Sequence, residues 1–270
     1  MRNLLKSFSS RLAVAASLAL SVGGSALMLT TLSEPAAANP FAPQPRIVTG
    51  DSTGVSGATV QTWAKVLPTG RVTEVGVTLP LAVATNPPTS EGTGPQGAVA
   101  VLDFPAVVQK TTYFNHFEMQ WERAGHRPFP AWMVPHYDLH FFGVPLASVL
   151  TIGPVDPQPP APDRIPAGYI YPSPLASVPQ MGVHAIQPAD ADPSHVFTAD
   201  MIAGFYGGSM IFVEPMVTQA ALLQRQDFSL EVPMPQTLGR STLYPTQFEA
   251  TYDRKAQVYY LVFSGFELMR

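Results

Sequence analysis

No cysteine occurs among the 270 residues. That excludes disulfides, thiolate metal ligands and cysteine nucleophiles, so any metal site must be assembled from His, carboxylate and Met. Charge is scarce too: charged residues make up 13% of the chain, with 19 acids against 15 bases. Nucleic acids and anionic membranes are bound through basic surface, so neither is an expected partner. Several enzyme signatures are missing: no G-x-S-x-G elbow, no H-E-x-x-H and no Walker loop. The glycines of Gly204-Phe205-Tyr206-Gly207-Gly208 precede a strand-like run, not a helix, so they are no phosphate cradle. Glu118 and Glu122 could sit on one helix face, but that spacing is too weak to define a glycosidase.

What is present points to β structure. Twenty-nine prolines and twenty glycines disfavour long helices, while 46% apolar residues provide for a core without disulfides. Residues 58–66 and 72–79 read as a hairpin around Pro68-Thr69-Gly70, and 98–104 as a buried strand. Strands are also expected at 111–121, 134–144, 169–171, 181–186, 228–232, 247–252 and 257–266. A second hairpin is expected to turn at Gly207-Gly208. Short helices are expected at 145–152 and from Pro215 through Leu223. The fold class is mainly β: a single antiparallel β-barrel or sandwich-like domain with one or two short helices.

The first 38 residues read as a cleaved signal peptide. Arg2, Lys6 and Arg11 precede an uncharged stretch, and Ala36-Ala37-Ala38 supplies small residues for cleavage; the rival reading is a retained membrane anchor. Residues 39–48 form a Pro-rich lead-in and 49–270 a single β-rich domain, placed in the periplasm or outside a bacterium. Cleavage removes three positive charges and one negative (Glu34), taking the formal charge from −4 to −6. No membrane association is expected after cleavage, and self-association suits so apolar a chain.

All six histidines lie between His116 and His195. His136, Asp138 and His140 alternate with Tyr137, Leu139 and Phe141, so on a strand they share one face. Two imidazoles and a carboxylate suit a divalent metal, zinc before copper or iron, although a polar barrel interior or a solvent-facing edge would carry the same pattern. One strand cannot fill a shell. His184 and Glu214 are the candidates to complete it, His126 is a further nitrogen, and Asp138 could instead orient a ligating histidine. His116 and His195 are read as having no role in the site, His195 as a turn residue.

Four segments occur in order: Gly125-His126-Arg127-Pro128, Pro135-His136-Tyr137-Asp138-Leu139-His140-Phe141-Phe142, Met181-Gly182-Val183-His184 and Glu214-Pro215-Met216. This order resembles a family of exported bacterial proteins of unknown function with a P-H-[FY]-D-x-H-F core. The resemblance spans most of the chain after residue 38, departing at Phe142, where Tyr is expected, and at Ala185, where an aromatic often follows the histidine. It implies a shared site of His126, His136, Asp138, His140, His184 and Glu214. Three functions remain open: a metal-binding protein, a metal-dependent hydrolase or oxygenase, and a non-metal β-barrel that binds a small apolar ligand.

Overall fold

The computed structural model describes residues 44–270; the expected signal peptide and the start of the lead-in lie outside the described residues. Two six-stranded antiparallel sheets pack as a sandwich. The first runs β1 (Arg46–Val55), β2 (Ala58–Val66), β3 (Val72–Pro80), β13 (Val258–Ser264), β12 (Gln247–Asp253), β10 (Phe228–Leu230). The second runs β4 (Ala100–Asp103), β5 (His116–Glu122), β6 (His136–Phe142), β9 (Ser209–Thr218), β8 (Ala199–Tyr206), β7 (Val183–Ala185). A small ribbon pairs β11 (Thr242–Tyr244) with β14 (Glu267–Met269). Among the described residues each large sheet keeps two open edges, so neither closes into a barrel.

Period-two alternation builds the core. Phe248, Ala250 and Tyr252 of β12 and Tyr259, Leu261 and Phe263 of β13 face inward, alternating with more exposed neighbours. From the second sheet, Phe117, Met119, Tyr137, Leu139, Phe141, Val213 and Ala203 join the same core. Phe141 sits at its centre, 4.8 Å from the Phe263 ring and 5.1 Å from Phe117.

The second sheet is covered on its other side as well. All seven residues of β6 are buried. Trp132, Ile152, Phe197, Ile202, Phe212 and Met216 belong to a separate apolar cluster there, formed partly by the connecting loops. The polar face of β6 is therefore neither a barrel interior nor a solvent edge. It lies beneath loops.

Four short helices occur among the described residues: α1 (Ala82–Thr85), α2 (Ala106–Thr111), α3 (Leu146–Val149) and α4 (Gln219–Leu223). Local differences from the sequence reading have physical causes. Residues 111–115 close α2 and turn before β5 begins, so Glu118 and Glu122 share a strand face and not a helix face. Residues 169–171 contribute only an isolated bridge, Ile170 to Ile186. β1 begins at Arg46, inside the stretch read as lead-in.

Pro215 lies within β9, paired with Met201, and α4 starts later on Thr218, whose hydroxyl accepts from the Ala221 N–H at 3.1 Å. The β6–β9 register lapses between Asp138–Met216 and Phe141–Val213. This is where Pro215 has no N–H to donate. None of the described helices is long and apolar enough to cross a membrane.

Candidate metal centre

The β6 alternation places His136, Asp138 and His140 on the loop-covered face, while Tyr137, Leu139 and Phe141 enter the sandwich core. Antiparallel register then sets their neighbours. On β5, Glu122 stands opposite His136, Gln120 opposite Asp138 and Glu118 opposite His140. β9 presents Glu214 beside the gap left by Pro215, and β7 presents His184 opposite Gly204 of β8.

The six expected ligands gather as two groups of three rather than one shell. In the first, His140 Nε2 lies 3.6 Å from Glu214 Oε1, and His184 Nε2 lies 3.6 Å from Glu214 Oε2. These separations are too long for hydrogen bonds. Among the described residues, both ring nitrogens of His140 and Oε2 of Glu214 are buried without a hydrogen-bond partner. In the second group, His126 Nε2 is 3.2 Å from Asp138 Oδ2 and His136 Nε2 is 3.1 Å from Asp138 Oδ1. The His136 contact has ion-pair distance but lies off the line a hydrogen bond needs, leaving both atoms unpartnered.

Electrostatics differ between the groups. Burial pushes the His140 imidazole down to about 3 and His184 down to about 4, so both are neutral at pH 7 with lone pairs free to ligate. Burial, then the charges of Asp138 and Glu122, pushes the Glu214 carboxyl well above its ordinary range. For Asp138, burial raises the carboxyl, but the His126 hydrogen bond and the close His126 and His136 imidazoles outweigh it and hold the group below the usual range. Burial likewise opposes charge on His126, yet Asp138 lifts that imidazole to about 9.

Beside both groups lies a cavity of about 550 Å³. Its polar end includes His126, Asp138, His184 and Glu122; Phe129 and Trp132 belong to its apolar wall. Most of a small organic molecule would fit such a space.

Close approach at Gly204 shapes the first group. A Cβ there would stand 2.0 Å from Cε1 of the Phe212 ring, which lies edge-on to His140 at 4.8 Å and His184 at 5.3 Å. Gly204→Ala is expected to displace Phe212 and lower metal affinity about 10-fold or more, in the range of orienting-residue substitutions. Zinc titration calorimetry checks this, and an unchanged affinity would show that Phe212 does not orient the imidazoles.

Several polar partners escaped the sequence reading. His195 is not merely a turn residue: its Nε2 lies 3.0 Å from Asp200 Oδ2, and Asp190 is close by. Trp132 Nε1 donates to that same Asp200 oxygen at 2.9 Å. This network fastens the loop carrying Trp132 to β8. His116 pairs with Glu118 at 3.2 Å and stacks on Phe142 at 4.8 Å between ring centres. The strand spacing of His116 and Glu118 carried that signal; the Trp132–Asp200 contact had none.

Comparison with protein-family models, with curated proteins and with solved structures finds no match to this chain.

Proposed function

We propose that this chain is an exported bacterial metal-binding protein whose ion, zinc before copper or iron, is held by His140, His184 and Glu214. The observation that carries the reading is that two neutral imidazoles, the buried His140 and the partly exposed His184, converge on Glu214 at 3.6 Å, with both His140 ring nitrogens and Glu214 Oε2 buried without a partner among the described residues. Two ligands each about 2.1 Å from one tetrahedral ion stand about 3.4 Å apart, close to that spacing. Left alone, each buried unsatisfied polar group costs about 1–3 kcal/mol, which a cation would relieve. Two histidines and one carboxylate form a donor set used by zinc with an open position and by non-haem iron.

The reading includes membership of the exported family with the P-H-[FY]-D-x-H-F core. Its support is that the segments carrying the resemblance supply the clustered residues, His126, His136, Asp138, His140, His184 and Glu214. The positive, then apolar, then small-residue order of residues 1–38 supports export.

Protein purified from the exported fraction without metal-affinity resin is expected to contain at least one equivalent of metal. Chelation is expected to lower Tm by about 5–10 °C, because an ion at 100 times its Kd contributes about 2.7 kcal/mol to a domain of this size. Elemental analysis and a melting scan measure both. A metal-free protein whose Tm ignores added zinc, copper and iron would sink the proposal. A second reading, metal-dependent hydrolysis, is favoured by the cavity reaching His184; it requires ester or amide turnover that chelation abolishes.

A further inference from the structure

We propose that His126, His136 and Asp138 hold a second divalent cation, separate from the first and reachable from the cavity. The inference goes beyond the single-ion reading and does not depend on it, since the two groups share no residue. His136 is fully buried, and its Nδ1 lies 2.6 Å from the Val134 carbonyl, so Nδ1–H donates there. His126 Nδ1 makes the same contact with the Arg127 carbonyl. Such backbone contacts fix the tautomer of a metal-binding histidine; they leave the Nε2 lone pair of His136 bare, while on His126 a cation would displace the proton that Nε2 shares with Asp138. Both Nε2 atoms then face Asp138, one at each carboxylate oxygen, 3.2 Å and 3.1 Å away.

A proton shared within the group would explain only half of this geometry. It suits the His126–Asp138 contact, which has hydrogen-bond alignment. It does not suit His136, whose Nε2 and facing Asp138 Oδ1 stay buried and unpartnered despite their closeness. A cation sits off the nitrogen–oxygen line and bonds both atoms without that alignment.

The loop is built to bring His126 there. Gly125 has a φ of 67°, and a Cβ on it would stand 2.0 Å from the Trp132 carbonyl oxygen, so glycine lets the chain fold back on the start of β6. The His126 N–H then donates to that carbonyl at 3.3 Å.

Asp138 and His140 are two strand positions apart, about 6.6–6.8 Å along the chain. That favours two ions with their own shells over one bridged pair, whose ions lie about 3.5–4 Å apart. His126 and Asp138 both line the cavity, flanked by Gln120 and Glu122. The free positions of this ion would take water or the oxygen donor of a small molecule whose apolar body packs on Phe129 and Trp132.

The test counts zinc equivalents in the full chain, in His126→Ala and in Glu214→Gln, by calorimetry with elemental analysis. The His126 side chain is 34% exposed. Its removal should spare folding, which circular dichroism checks; His126→Gln serves if it does not. Two equivalents in the parent chain are expected. Each variant should retain one site and lose at least about 100-fold in affinity at the other. One equivalent that survives His126→Ala overturns the second site and spares the first. One equivalent lost in His126→Ala but kept in Glu214→Gln supports the second site and removes the first. Two equivalents unchanged in His126→Ala, or none in the parent chain, overturn the proposal.

Discussion

Phe141→Ala is expected to lower the unfolding free energy by about 3–5 kcal/mol and Tm by roughly 6–20 °C. The ring lies between the sheets, with Phe104, Phe114, Phe117 and Phe263 at centroid distances of 5.8, 5.7, 5.1 and 4.8 Å. Truncation removes these contacts and leaves a cavity that backbone pairing on both sides keeps from collapsing. Domain stabilities are about 5–15 kcal/mol, so one substitution removes a large share of the total. Phe141→Leu, which keeps most of the volume, is expected to cost less than half as much. Denaturant melts at matched pH measure both; a loss under about 1 kcal/mol for the alanine variant would show that the sheets do not pack through this ring.

Glu214→Gln is expected to act in opposite directions with and without metal. Zinc affinity falls by at least about 100-fold, because the loss of a ligand exceeds the 10- to 100-fold cost of losing a residue that only orients one. The zinc-induced rise in Tm is then reduced or lost. Without metal, the variant is expected to be more stable by on the order of 1–3 kcal/mol at pH 7, since the amide carries no charge for burial to penalise and its NH2 can donate to an unpartnered His140 nitrogen. The sign follows from linkage. Burial raises the folded-state pKa of Glu214 above the unfolded value, so the charged form is penalised in the fold. That penalty is absent below the unfolded pKa and grows as pH rises towards the folded one. The advantage of glutamine should therefore shrink as pH is lowered to about 4. Chemical melts of chelated protein at pH 4 and 7, with zinc calorimetry at pH 7, test both halves; unchanged zinc affinity would remove Glu214 from the site.

Much of the local structure was legible. The 58–66 and 72–79 strands, the Gly207-Gly208 turn and the strands at the end of the chain follow from apolar alternation and turn residues a few positions apart. Pro215 reads locally as a helix start, since proline removes a ladder hydrogen bond from a central strand, and only its pairing with Met201 on β8 places it in β9. The His116–Glu118 pairing is legible in their strand spacing, whereas His195 gains its partner Asp200 only once β8 and its preceding loop are placed.

The sequence by itself determined the donor chemistry: no thiolate, six histidines, and His136, Asp138 and His140 on one face of a strand. Side-chain alternation is a property of the backbone, so that face needs no distant contact to define it. Tertiary structure alone decided sandwich over barrel, through long-range pairings such as Val258 with Pro80 that leave the sheet edges open. It also decided that the face would be covered by loops, and that its residues would divide between Asp138 with His126 and Glu214 with His184. His126, His184 and Glu214 arrive from a loop and two other strands, and their convergence depends on chain closure and register that no local pattern encodes.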